Sequence, residues 1–145
     1  MSTLHLIPNG AGDATGLTPV GAANNWQCVD DAVGAPDGDT TRVERAASSY
    51  GADNYNLTGR TTEQGTINSA TVYFGIAASV AQTISAKPGL RLSGTDVTGT
   101  QVSMASTSYT DYNEALTRPG GGSFTWDDIA SLQGTINLRG TLGLV

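Results

Sequence analysis

Apolar and polar residues alternate with a period of two along most of this chain, and the helical period of 3.6 hardly occurs. In "TVYFGIAAS", Val72, Phe74, Ile76 and Ala78 fall on one face and Thr71, Tyr73, Gly75 and Ala77 on the other, which predicts a strand central to its sheet. In "TINLRGTLGLV", Ile136, Leu138, Leu142 and Leu144 share a face opposite Asn137, Arg139 and Thr141, and Gly140 interrupts the inner row as a bulge would. Further strands are predicted at "TLHLI", at "TTRVERA" around Val43, at "NYNL" around Tyr55, at "QTIS" with "LRLS", at "QVSM" and at "YTDYNEALT". Nineteen glycines and five prolines punctuate these runs, with turn signals at "PNG", "PDGD", "KPG" and "RPGGG". Helix is confined to "WDDIASLQ", with Asp127 near its start, and to a short turn within residues 25 to 33.

The pattern therefore predicts an all-β protein: an antiparallel two-sheet β-sandwich of the jelly-roll type, with about eight strands, in a single domain over residues 1–145. Val43, Val72, Phe74, Ile76, Leu116, Ile129, Leu132, Ile136 and Leu138 are expected to line one core between the sheets. The sequence closes on an apolar strand with no charged residue to protect a sheet edge. Leu142, Leu144 and Val145, with Leu4 and Leu6 from the first predicted strand, are thus candidates for an oligomer interface.

Composition narrows the partners. Thirteen acidic against seven basic residues give a net charge of -6, which opposes the phosphate attraction that dominates nucleic-acid binding, so no direct nucleic-acid contact is expected. No uninterrupted apolar span of membrane length and no signal peptide are visible, so neither membrane insertion nor export is expected. The single cysteine, Cys28, has no partner for an internal disulfide and reads as a small buried hydrophobe. The Asn56-Leu57-Thr58 sequon reads as chance without an export signal.

Candidate chemistry is sparse. His5 is the only histidine and has no acid or nucleophile beside it, and no Gly-x-Ser-x-Gly elbow, phosphate loop or zinc spacing occurs. Adjacent carboxylates such as Asp127 and Asp128 point to opposite faces when extended, which disfavours a glycosidase dyad. Asp30, Asp31, Asp37 and Asp39 in "DDAVGAPDGDTT" make a calcium loop the one metal alternative, against the plainer reading of Asp37-Gly38-Asp39 as a turn. Trp26, Tyr50, Tyr55, Tyr109, Tyr112 and Trp126 offer either a sugar-stacking platform or ordinary packing, and packing is the stronger reading, with Trp126 holding its helical turn against the sandwich. No cofactor is expected.

The succession "LIPNGAGDATGLTP", "NWQCVDDAVGAPDGDTTRV", "INSATVYFGIA" and "SYTDYNEALTRPGGGSFTWDDIASLQGTINLRG" resembles jelly-roll β-sandwich proteins that serve as accessory or decoration proteins on tailed-phage virions. "DGDTTRV" and "FTWDDIASLQ" are its most specific pieces. The resemblance implies a non-enzymatic virion structural protein, made in the host cytoplasm and placed on the virion surface. Its implied partners are its own copies, as a trimer or dimer, and the major capsid or another virion protein. Two other readings stand beside it: a carbohydrate-binding β-sandwich module, and a subunit of an extracellular filament held by strand exchange.

Overall fold

The computed structural model describes residues 3–59 and 65–144, the last four of these by backbone alone. The elements run β1 (Pro8–Thr15), β2 (Thr18–Val20), a 3₁₀ turn (Asn25–Cys28), β3 (Arg42–Leu57), β4 (Ala70–Ala78), β5 (Ile84–Leu92), β6 (Thr95–Thr98), β7 (Val102–Met104), β8 (Thr110–Leu116), α1 (Trp126–Ser131) and β9 (Gln133–Leu144). All pairing is antiparallel, in two sheets: an all-β architecture, as the alternation predicts. The unequal division of the strands, with β8 paired only to β4, does not establish jelly-roll connectivity.

The hub is β9, not β4. On one side β9 pairs with β3, from Asn56↔Gln133 to Glu44↔Leu144. On the other it pairs with β5 from Arg91↔Gln133 to Ser85↔Arg139, then changes partner to β4 at Ala78↔Gly143 and Ala77↔Leu144. The switch falls at Gly140, whose φ of +142° favours glycine. The predicted bulge is thus a corner: β9 leaves β5 there and takes up β4, which carries β8 with it. An apolar strand end has its backbone paired on both sides within the chain, so the uncovered edge expected at Gly143 and Leu144 is not there.

Several predicted turns lie inside strands. "PNG" opens β1, and "TLHLI" forms no strand, although beside the end of β3 Thr58 N donates to the Ile7 carbonyl and Ile7 N donates to Thr58 Oγ1. "TTRVERA" and "NYNL" are two ends of one strand, β3, joined through a bulge between Ala47 and Gly51 that Arg45 holds by donating to the Ser49 carbonyl and hydroxyl. "KPG" lies in the middle of β5. Pro88 survives there because its carbonyl accepts from Gly99 N (2.8 Å) on the side where the partner strand breaks between β6 and β7. Its nitrogen faces the same gap and needs no proton.

The core is likewise divided. Val43, Ile76, Ile136 and Leu138 pack with Leu17, Cys28, Tyr55, Ile84 and Ala86 in one cluster, and Leu116, Ile129 and Leu132 with Leu90 and Leu92 in a second. The single core expected from the sequence is interrupted on β8. Tyr112 packs on the first cluster and Leu116 in the second, while Glu114 between them accepts from Thr100 N (2.8 Å) and Oγ1 (2.9 Å), tying β8 to the β6–β7 gap. Val72 and Phe74 are only half-buried, and Phe74 stacks on Tyr112 at 5.7 Å. Phe74→Ala is therefore expected to cost about 2 kcal/mol, below the ~3–5 kcal/mol of a fully buried phenylalanine; urea melts measure the difference.

Candidate functional site

Two of the four predicted aspartates, Asp31 and Asp37, hold the loop through their carboxylates. Asp31 Oδ2 accepts from Asp37 N (2.9 Å), and Asp37 accepts from Thr41 N (3.3 Å) and Thr41 Oγ1 (2.8 Å). The Asp39 carbonyl accepts from Arg42. Asp30, Asp31, Asp37 and Asp39 do not converge, and among the described residues no group of three or more His, Cys, Asp or Glu side chains could hold a metal ion. Gly38 sits at φ +68°, the turn that the plainer reading predicts.

Asp127 stands in the first turn of α1, as expected, but it is not the cap. Thr125 is the N-cap: its Oγ1 accepts from Asp128 N (3.2 Å), and Asp128 Oδ2 accepts from Thr125 N (2.7 Å), a reciprocal capping box. Arg118 grips the same carboxylate with two parallel bonds of 2.8 and 2.9 Å. The Arg118 guanidinium, and then the Thr125 bonds, hold the Asp128 carboxyl well below the ordinary 3.8. A folded value below the unfolded one means that this stabilisation is complete above about pH 4 and is lost as pH falls further. Asp128→Asn is expected to cost about 2 kcal/mol at pH 7 and to flatten the fall in stability between pH 4 and pH 2; urea titrations at each pH test both.

Of the interface candidates, Val145 and the side chains of Leu142 and Leu144 lie outside the described residues. Leu6 packs against the second cluster, while Leu4 stays 39% exposed. Nor do the aromatics form a platform: Tyr55 is buried, Trp26 and Tyr112 pack on the first cluster, and Trp126 packs on the second with its indole N–H donating to Gly65 O (3.0 Å).

What the fold does assemble is a polar outer face on the larger sheet. Odd-numbered positions of β5 and β9 point away from the core, so Lys87 and Arg91 stand beside Thr135, Asn137 and Arg139. At one end a cleft of about 200 Å³ is lined by Asp13, Asn54, Arg91, Asp96, Thr135 and Asn137. Arg91 bridges Asp13 (2.7 Å) and Asp96 (2.8 Å), and Gln133 donates to Asp13 (3.0 Å). The Arg91 and Gln133 bonds lower the Asp13 carboxyl below its ordinary value. At the other end Tyr50 lies under two cations, Lys87 Nζ at 4.8 Å and Arg139 Cζ at 4.7 Å from the ring centroid. Its hydroxyl donates to Gln101 (2.6 Å), Gln101 donates to Ser103 (3.1 Å), and Ser103 and Ser85 share a hydrogen bond of 2.8 Å. Alternation already places Asn137 and Arg139 outward, but the approach of Tyr50 depends on the β3 bulge, which leaves no mark in sequence. This arrangement can recognise hydroxyls and charged groups by hydrogen bonding.

No protein-family model matches the chain, and no curated protein matches it. Among the described residues no helix is long and apolar enough to cross a membrane.

Proposed function

We propose that the chain is a non-enzymatic structural subunit of a virion surface, a capsid-decorating or similar accessory protein of jelly-roll kind that self-associates and binds a lattice. The observation that carries this reading is how the charged groups are used. Asp53, Asp128, Asp37 and Glu114 each bond backbone or neighbouring side chains that hold the sandwich together, so these carboxylates act as struts of a rigid block. The acidic net charge, which disfavours nucleic acid, and the likeness of "DGDTTRV" and "FTWDDIASLQ" to decoration proteins support the same reading. Light scattering of the purified chain is expected to give a dimer or trimer mass, and gold-labelled antibody is expected to decorate intact particles. A monomer at every concentration together with unlabelled particles would count against it.

A second reading, carbohydrate binding, draws on the polar cleft lined by Asp13, Asn54 and Asn137, whose amides and carboxylates suit sugar hydroxyls. Signal on an array of neutral glycans would favour this second reading, and its absence would remove it.

A further inference from the structure

The outer face holds a place where two cations meet over one ring without a carboxylate partner; Arg45 also lacks a carboxylate but spends its donors on the Ser49 carbonyl and hydroxyl and the Gly16 carbonyl. Arg42 pairs with Glu44, Arg91 with Asp13 and Asp96, and Arg118 with Asp128. Lys87 and Arg139 have no such partner: among the described residues no carboxylate lies within 4 Å of either, although acidic residues outnumber basic ones thirteen to seven. They project from neighbouring strands, where Lys87 pairs with Asn137 and Arg139 with Ser85, and both sit half-buried against one tyrosine ring. Drawing two like charges to one ring costs Coulomb energy, and the ring quadrupole offsets only part of it.

Beside Arg139 opens a cleft of about 270 Å³ lined by Ser48, Thr83, Ser85, Arg139 and Gly140, with Lys87 outside that lining on the neighbouring strand over the Tyr50 ring. Its size is just under the ~300–1,000 Å³ typical of drug-sized sites, so it suits one small polar group. Three hydroxyl-bearing residues share the lining with Arg139, and the Ser85 hydroxyl is already bonded to Ser103. The β3 bulge and the Tyr50–Gln101–Ser103–Ser85 hydrogen-bond chain hold the ring and the Ser85 hydroxyl in place before any ligand arrives.

We infer that this cleft binds an acidic monosaccharide unit, with its carboxylate on Arg139 and Lys87 and its hydroxyls on Ser48, Thr83 and Ser85. A planar oxyanion matches the guanidinium fork and supplies the missing countercharge. The inference concerns a ligand site and goes beyond attachment to a lattice, so it stands or falls separately from the reading above.

Nitrogen-15 correlation spectra of the full chain, titrated with glucuronate, glucose, acetate and inorganic sulfate, test it. Glucuronate is expected to shift the Ser85, Lys87, Arg139 and Gly140 amides saturably, with glucose silent and acetate and sulfate weaker. Lys87→Gln, on a half-exposed side chain, and Arg139→Gln should each weaken glucuronate binding about tenfold, with Arg139→Lys between wild type and Arg139→Gln. The inference is overturned if glucuronate gives no saturable shift, if glucose binds equally, or if the Lys87→Gln chain binds unchanged. Equal binding of acetate, sulfate and glucuronate would leave an oxyanion site and remove the sugar.

Discussion

Replacing Asp53 by alanine is expected to unfold the chain or bring it to the edge of unfolding. Asp53 is fully buried, and its two oxygens accept four hydrogen bonds: from Gly16 N (2.7 Å), Leu17 N (2.9 Å), Asn25 Nδ2 (2.6 Å) and Tyr55 OH (2.8 Å). One side chain on β3 thus fastens the β1–β2 connection and the 3₁₀ turn to the sheet. Gly16 N keeps its bond to the Ala52 carbonyl (2.9 Å), but removing Asp53 takes the acceptor from the other three donors at about 1–3 kcal/mol each, so the loss reaches at least about 3 kcal/mol against a typical total of ~5–15 kcal/mol. Asp53→Asn separates hydrogen bonding from volume: it keeps the shape but turns one acceptor into a donor facing a donor, so it should be nearly as damaging. Urea denaturation decides, and an asparagine variant within about 1 kcal/mol of wild type would contradict this account. The same network makes an alkaline prediction. Burial, and then the Asp53 charge, push the Tyr55 phenol above its ordinary 10.0, so the unfolded chain releases this proton first and stability falls as pH rises beyond about 10.

Gly140→Val is the second large effect. A Cβ at this position would stand 2.6 Å from Ile84 Cγ2 and 3.2 Å from Ile84 Cα, and the φ of +142° is one that side chains rarely adopt. Backbone strain of about 1–3 kcal/mol adds to overpacking of about 1–3 kcal/mol, at the corner where β9 passes from β5 to β4. A melting temperature lower by roughly 6–12 °C is expected. A shift under about 2 °C would mean that the corner relaxes freely and that the partner switch does not depend on this glycine.

Strands with clean alternation were legible in the sequence, because burial on one face is what writes that pattern. β4, β7, β8 and β9 stand where Val72 to Ala78, "QVSM", "YTDYNEALT" and "TINLRGTLGLV" put them. Turn residues misled where their usual meaning was cancelled by place. Pro88 reads as a turn until its nitrogen is seen to face a break in the neighbouring strand, and Pro8-Asn9-Gly10 reads as a turn although proline suits the first residue of an edge strand. A signal that sequence reasoning missed was Ser93-Gly94, where positive φ at both residues makes the tight β5–β6 hairpin. The central position of β9 was hidden because pairing partners distant in sequence carry no local signature. The Asp53 network was hidden for the same reason: nothing in "GADNYNL" distinguishes a buried carboxylate from a surface one, since its donors come from residues 16, 17, 25 and 55. The candidate site follows this division. The outward Arg139 was legible, whereas its meeting with Lys87 over Tyr50 required the sheet register and the bulge.

The claim that the chain is a lattice-binding virion subunit is tested most directly by quantitative cosedimentation. Purified chain is mixed with particles assembled from the capsid genes of the genome that encodes it, and the bound fraction is measured across a concentration series. The account predicts saturable binding at a fixed ratio of chain to capsid subunit, with the bound chain arriving as a dimer or trimer. Chain that stays in the supernatant at every concentration, while remaining folded, would contradict it.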